Sequence, residues 1–205
     1  MLKVALTGNV ASGKSSVASI WSEAGVPVVL ADDLAREVVA PGSPGLERVT
    51  NLFGREVLDL EGFLDRAALR DRVFRDPVER KRLEAILHPL IEARREEWLI
   101  AREEEGERLA VAESPLLFEV GLEGEFDVVV FVNAGAALRH KRLVENRGIE
   151  GEEATRIMQA QMPSQEKLQR ADYVLDNQGS LQDLEIRALA LLDLLKARAR
   201  RGAGG

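Results

Sequence analysis

The sequence predicts an α/β fold, with a five-stranded parallel sheet flanked by helices. Three observations carry this reading. Short apolar runs without polar alternation recur along the chain, helical periodicity fills the gaps between them, and a glycine-rich turn joins the first run to the first helix. Val4-Ala5-Leu6 is the first expected strand, followed by Gly8. Ser15–Ala24 then places Val17, Ile20 and Trp21 on one helical face, and Gly25 ends it. Further strands are expected at Val26–Leu30, Leu109–Ala112, Asp127–Val132 and Tyr173–Leu175, with helices at Leu138–Glu145 and Leu181–Ala199.

Two stretches depart from this alternation. Residues 33–107 read as helices only: Leu34–Val39, Gly45–Phe53, Arg66–Phe74, Val78–Leu87 and Pro89–Glu105. A simple crossover needs about a dozen residues, so this stretch is expected to be a substrate-covering insert. The polar stretch 146–170 is expected to be a mobile lid. The core is then 1–32, 108–145 and 171–200, with 201–205 a flexible tail and the run from Ala197 onward frayed.

Composition narrows the function classes. The 205 residues are 45% apolar and 31% charged, which argues against disorder. No apolar run approaches the roughly 18 residues of a membrane span. The opening MLKVALTGNVASGKSS reads as a strand entering a loop, not a signal peptide. Absence of cysteine excludes disulfides, thiolate metal sites and cysteine nucleophiles, and the cytoplasm is the expected compartment. A net charge of −7 disfavours a nucleic-acid coat. Neither nucleic acid nor membrane is expected as a partner, and the chain is expected to be a monomer.

The strongest motif is Gly8-Asn-Val-Ala-Ser-Gly13-Lys14-Ser15, which matches G-x-x-x-x-G-K-[ST] between a strand and a helix. Its glycines let backbone N–H groups face inward at a helix N-terminus, which makes an anion site. Lys14 is expected at the β- and γ-phosphates, and the Ser15 hydroxyl on Mg²⁺. No N-K-x-D guanine motif follows; Asp176-Asn177-Gln178-Gly179 does not match. A small-molecule kinase of the P-loop type fits best.

Four more features bear on chemistry. Asp32, after the second strand in LADDLAR, suits either a general base or a helix N-cap, and Asp33 would take the other job. Glu113, ending the third strand, suits either a water-mediated Mg²⁺ contact or a solvated strand end. His88 precedes Pro89, an expected helix start, and reads as structural or substrate-orienting before catalytic. In RHKRLVENR, Arg139, Arg142 and Asn146 share one helical face, which suits either phosphate or solvent.

Several ordered blocks are similar to dephospho-CoA kinases: LTGNVASGKSSV, ADDLAREVVAPGSPG, LDRAALRDRVF, RLEAILHPLI, ESPLLFEVG and QMPSQEKLQRADYVLDNQGS. The resemblance implies a P-loop kinase fold with a CoA-binding helical insert and a lid. It implies transfer of phosphate from ATP to 3′-dephospho-CoA with Mg²⁺, giving ADP and coenzyme A. Asp32 then matches the aspartate that activates the ribose 3′-hydroxyl. Gly8, Ala11, Ser12, Gly13, Lys14, Ser15 and Ser16 would hold the phosphates, and Asn177 and Gly179 the adenine. Thr7, Arg36, His88, Pro115, Leu116 and Leu117 would line the substrate side, and Ser15 and Glu113 would hold the metal. Three positions depart from the family pattern: Leu30 stands where a further aspartate is common, Glu113 where aspartate is common, and Asn146 where a lid arginine is expected. Arg142 and Arg147 are the arginines left to meet phosphate.

Overall fold

The computed structural model describes residues 1–202. It contains a fully parallel five-stranded sheet in the order β2-β3-β1-β4-β5. The strands are β1 Leu2–Thr7, β2 Val28–Val29, β3 Leu109–Glu113, β4 Val128–Asn133 and β5 Tyr173–Asp176. The helices are α1 Lys14–Glu23, α2 Ala31–Glu37, α3 Pro44–Phe53, α4 Arg66–Arg75 and α5 Pro77–Glu104. After β3 come α6 Ala136–Arg147, α7 Gly151–Gln159, α8 Ser164–Arg170 and α9 Leu181–Gly202.

The chain divides into two compact units, Met1–Leu30 with Ala101–Gly205, and Ala31–Ile100. The first unit holds the sheet. Its central strand β1 has four consecutive buried residues, Val4 to Thr7, because a parallel sheet is covered on both faces. One core packs Val4, Leu6 and Val130 against Trp21 of α1 and Leu184, Leu192 and Leu195 of α9. Trp21 is fully buried, and its indole N–H donates to the Ala188 carbonyl at 2.8 Å. Truncating such a side chain costs about 3–5 kcal/mol. A second cluster packs Ala5, Val129 and Phe131 against Leu117, Phe118 and Leu168. The other unit has its own core, with Val49, Phe53, Val57 and Leu69 at its centre.

Several sequence expectations are corrected. The second strand shrinks from Val26–Leu30 to Val28–Val29, since Pro27 has no N–H for the ladder and α2 starts at Ala31. Val78–Leu87 and Pro89–Glu105 merge into α5, with Pro89 inside it. Proline removes one helical hydrogen bond there. Leu83, Ile86 and Leu87 of the preceding turns pack on the core of their unit, which offsets that loss. The insert runs from Ala31 to Ile100 instead of 33–107, so Asp32 belongs to it. At the other end α9 continues to Gly202, anchored by buried Ala199, so residues 197–202 are helical and not frayed. Positions 203–205 of the expected tail lie outside the described residues. No described helix is long and apolar enough to cross a membrane.

Candidate active site

Parallel register sets the carboxyl ends of β1, β3 and β4 along one edge: Leu6 pairs with Glu113 on one side and Val130 on the other. Such an edge, where strand order reverses around the first strand, is where open α/β sheets bind ligands. The loop 8–13 leaves β1 at that edge. Gly8 is required by close approach: a Cβ there would stand 2.6 Å from the Val132 carbonyl oxygen and from Ser12 Oγ. Gly13 has φ +101°, and a Cβ there would strike the Asn177 amide. Between them Ala11 holds a left-handed φ of 58°, which is costly for a non-glycine residue.

Side chains take up the carbonyls at the end of the loop. Asn177 Nδ2 donates to the Ser12 carbonyl at 2.7 Å. Arg142 Nη1 donates to the Ala11 and Ser12 carbonyls at 3.2 and 3.3 Å, and Nη2 to the Asn177 carbonyl and Oδ1 at 3.3 and 3.2 Å. A trans peptide points its N–H opposite its C=O, so pinning the Ser12 carbonyl to Asn177 and Arg142 turns the Gly13 N–H away from those side chains. Helix α1 begins there with no side-chain cap and no acid in its first turn. By contrast, Ser43 caps α3 and Asp65 caps α4. The positive end of α1 is thus left to a ligand. Lys14 Nζ folds over the loop, donating to the Gly8 and Asn9 carbonyls at 3.0 and 3.3 Å.

A cleft of about 300 Å³ opens on this loop. It gathers Ala11, Gly13, Lys14, Ser15 and Ser16 with Arg142, Arg147, Asn177 and Gly179. Gly8 and buried Ser12 shape the loop from behind. Asn146, from the helical face that suits either phosphate or solvent, also lines the cleft, as does Leu181, for which the sequence carries no ligand signal. Asn146 stands beside Arg147 on α6, and Leu181 adds an exposed apolar wall. Arg139, expected on the same face as Arg142, is instead buried. Its Nε donates to the Ala134 carbonyl at 3.1 Å, and burial pushes its guanidinium pKa down.

Two expected substrate contacts are corrected. Leu117 is fully buried in the core with Phe118, and Thr7 is fully buried at the end of the central strand, so neither offers surface. Pro115 is half-buried and Leu116 is exposed at the same edge, next to half-buried Glu113. Asp32, Arg36 and His88 all belong to the other unit. Asp32 is exposed in the first turn of α2, inside the helix and not at its cap. Asp33 pairs with Arg36 at 2.9 Å. His88 is half-buried within α5, no longer at a helix start.

The expected lid resolves into α7, α8 and their flanks. Its 161–170 half is fastened down: Lys167 of α8 is fully buried with Nζ 2.6 Å from Glu119 Oε1. Arg170 pairs with Glu123 and lies over the Phe118 ring at 4.8 Å. Glu119 and Lys167 sit within the blocks PLLFE and QEKLQ, yet nothing in their spacing announces a pair. We expect Glu119→Gln to leave the Lys167 ammonium buried without a countercharge, at a cost of about 3–5 kcal/mol. Its melting temperature, read by circular dichroism, should fall by roughly 6–20 °C; an unchanged value would show that the ammonium finds water instead.

Sheet order, glycine loop and cation-lined cleft define a P-loop phosphotransferase. The dephospho-CoA kinase family model matches residues 2–183. A dephospho-CoA kinase of Anaeromyxobacter dehalogenans is 45% identical over 202 residues, covering 98% of this chain and 96% of that one. One from Corynebacterium glutamicum is 38% identical, covering 97% and 99%. Among solved structures, a Thermus thermophilus protein is 38% identical with a TM-score of 0.75, covering 95% of this chain and 97% of that chain. The dephospho-CoA kinase from Campylobacter jejuni is 25% identical with a TM-score of 0.71, covering 94% and 96%. A shikimate kinase from Bacteroides thetaiotaomicron, 16% identical with a TM-score of 0.52 and covering 95% and 98%, shares the fold alone. This chain belongs to the dephospho-CoA kinase family.

Proposed function

We propose that this chain transfers the γ-phosphoryl group of ATP to the ribose 3′-hydroxyl of dephospho-CoA, giving coenzyme A and ADP, with Asp32 as general base. The observation that carries the nucleotide side is the cleft over the uncapped start of α1, where Lys14, Ser15, Arg147 and Asn177 meet. Phosphoryl transfer asks little covalent chemistry of the protein; positioning and charge neutralisation do the work. The α1 amides and Lys14 hold the β- and γ-phosphates. Asn177, Gly179 and Leu181 receive the adenine. Arg36, His88, Pro115 and Leu116 line the substrate side, with the helical unit 31–100 as the CoA-binding domain. Asp32 takes the hydroxyl proton as the new O–P bond forms.

The donor set fits magnesium. The exposed Ser15 hydroxyl at the first turn of α1 and the Glu113 carboxylate at the end of β3 are hard oxygen donors, few enough to leave room for water and phosphate oxygens. Bound Mg²⁺ would neutralise charge shared between the β- and γ-phosphates. In this reading the stretch 146–170 acts as the lid, and its closure excludes water from the transfer. We place the reaction in the cytoplasm, with the chain working as a monomer on free small molecules; the lack of cysteine supports the compartment.

Release of ADP, followed with and without dephospho-CoA, tests this reading. ADP release that depends on dephospho-CoA is expected. Release without it, or preference for a nucleoside monophosphate or another hydroxyl compound, would refute it.

The two arginines are expected to part company. Arg142 is occupied with loop carbonyls, so Arg142→Ala should raise the KM for ATP by loosening the cleft. Arg147 is exposed on the cleft wall, so Arg147→Ala should lower kcat more than it raises either KM, as loss of transition-state charge stabilisation requires. Steady-state kinetics of both variants decides it, and the reverse pattern would exchange their roles.

A further inference from the structure

The loop 8–13 is also fastened by residues that follow α7. Val10 N–H donates to Gln161 Oε1 at 2.8 Å. Asn9 Nδ2 donates to the Met162 carbonyl at 3.3 Å and to Ser164 Oγ at 3.2 Å. Two of these acceptors lie in the turn between α7 and α8, and the third is the first residue of α8. That turn is itself held, since Glu119 Oε1 accepts from Met162 N–H at 3.3 Å and also faces buried Lys167.

Gln161 acts next to the strained point of the loop. A left-handed alanine persists only where its surroundings over-determine it. Ala11 is bracketed in this way: Gln161 takes the amide of the preceding residue, and Arg142 takes the carbonyls of Ala11 and Ser12. We propose that Gln161 is a positioning residue for phosphoryl transfer. Its amide oxygen keeps the loop in the phosphate-receiving conformation before nucleotide arrives, and the buried Glu119–Lys167 pair fixes the turn that carries it. A loop ordered in advance binds without spending interaction energy on its own ordering. This inference rests on the reading of the loop as the ATP site.

Amide hydrogen exchange at Val10 in the nucleotide-free protein, with steady-state kinetics, tests it in the wild type, Gln161→Leu and Gln161→Glu. The Val10 amide should be protected in the wild type, and also in Gln161→Glu, which keeps an acceptor oxygen. Gln161→Leu should lose that protection and raise the KM for ATP up to about tenfold, the scale of one lost hydrogen bond, with its melting temperature near the wild-type value. If Gln161→Leu fails to fold, Gln161→Asn, one methylene too short to reach Val10, carries the same expectation. An unprotected Val10 amide in the wild type overturns the proposal, as does a KM for ATP within twofold of wild type in Gln161→Leu. A rise in exchange throughout the protein, with a matching fall in melting temperature, assigns Gln161 to stability and overturns it too. The exchange measurement needs no nucleotide, so it fails separately from the ATP assignment, which fails if the wild type binds no ATP.

Discussion

Asp32→Asn should lower kcat by roughly 10²–10⁴, the range for a positioned acid–base group, while ATP affinity stays near wild type. Asparagine keeps the size and polarity of the side chain but takes up no proton. Asp32 lies in the first turn of α2, so its carboxylate also favours the helix dipole, by about 0.3–1 kcal/mol. Losing that interaction should move the melting temperature by no more than about 4 °C in a chain of this size. Asp33 supplies the internal control. It is held to Arg36 across one helical turn, so Asp33→Asn should lose less than tenfold in kcat. Kinetics and thermal melts of the two variants separate three readings. A dead Asp32→Asn with an intact fold identifies the base. An active Asp32→Asn beside a dead Asp33→Asn moves the base by one residue. Activity in both leaves positioning and metal as the whole mechanism, and removes Asp32 from it.

Lys14→Ala should abolish measurable turnover and weaken ATP binding. The Lys14 ammonium reaches back over the loop to the Gly8 and Asn9 carbonyls, which places it above the start of α1. With β- and γ-phosphate present, that charge is fixed against the developing negative charge of the transferring group, where electrostatic stabilisation is worth most. Backbone amides and the helix terminus remain in the variant, so some nucleotide affinity should survive. Turnover with dephospho-CoA and ATP titration measured together check this. A kcat within tenfold of wild type would refute the assignment of the loop as a phosphate site.

The stability side of the site follows the same physics. A buried ion pair is a weak net stabiliser but costs much when half is removed. Lys167 and Glu119 are therefore better understood through what they hold in place than through what they contribute. They hold the turn bearing Gln161 and Met162, and Ser164 at the start of α8, beside the loop 8–13.

Local chemistry explains what could be read in advance. The alternation of apolar runs and helical faces gave the parallel sheet, because strands covered on both sides must be apolar throughout. The glycine loop was legible because Gly8 and Gly13 answer to backbone constraints that no other residue meets, and such constraints leave a fixed spacing. The same local logic failed at Pro89, which reads as a helix start and lies inside a 28-residue helix. Packing of Leu83, Ile86 and Leu87 on a core assembled from distant residues outweighed the local preference.

By itself, then, the sequence determined the sheet, the phosphate loop, the two departures from alternation and, through its blocks, the family. These rest on interactions between residues close along the chain or on a repeated pattern of burial. The tertiary structure alone decided which side chains have surface to offer. It buried Thr7 and Leu117 in the core, turned Arg139 inward and set Arg142 to clamp the loop to Asn177. It also brought Gln161 to Val10, 151 positions away, and Lys167 to Glu119. Such contacts form where folded elements meet, and an isolated segment carries no mark of the partner it will meet there.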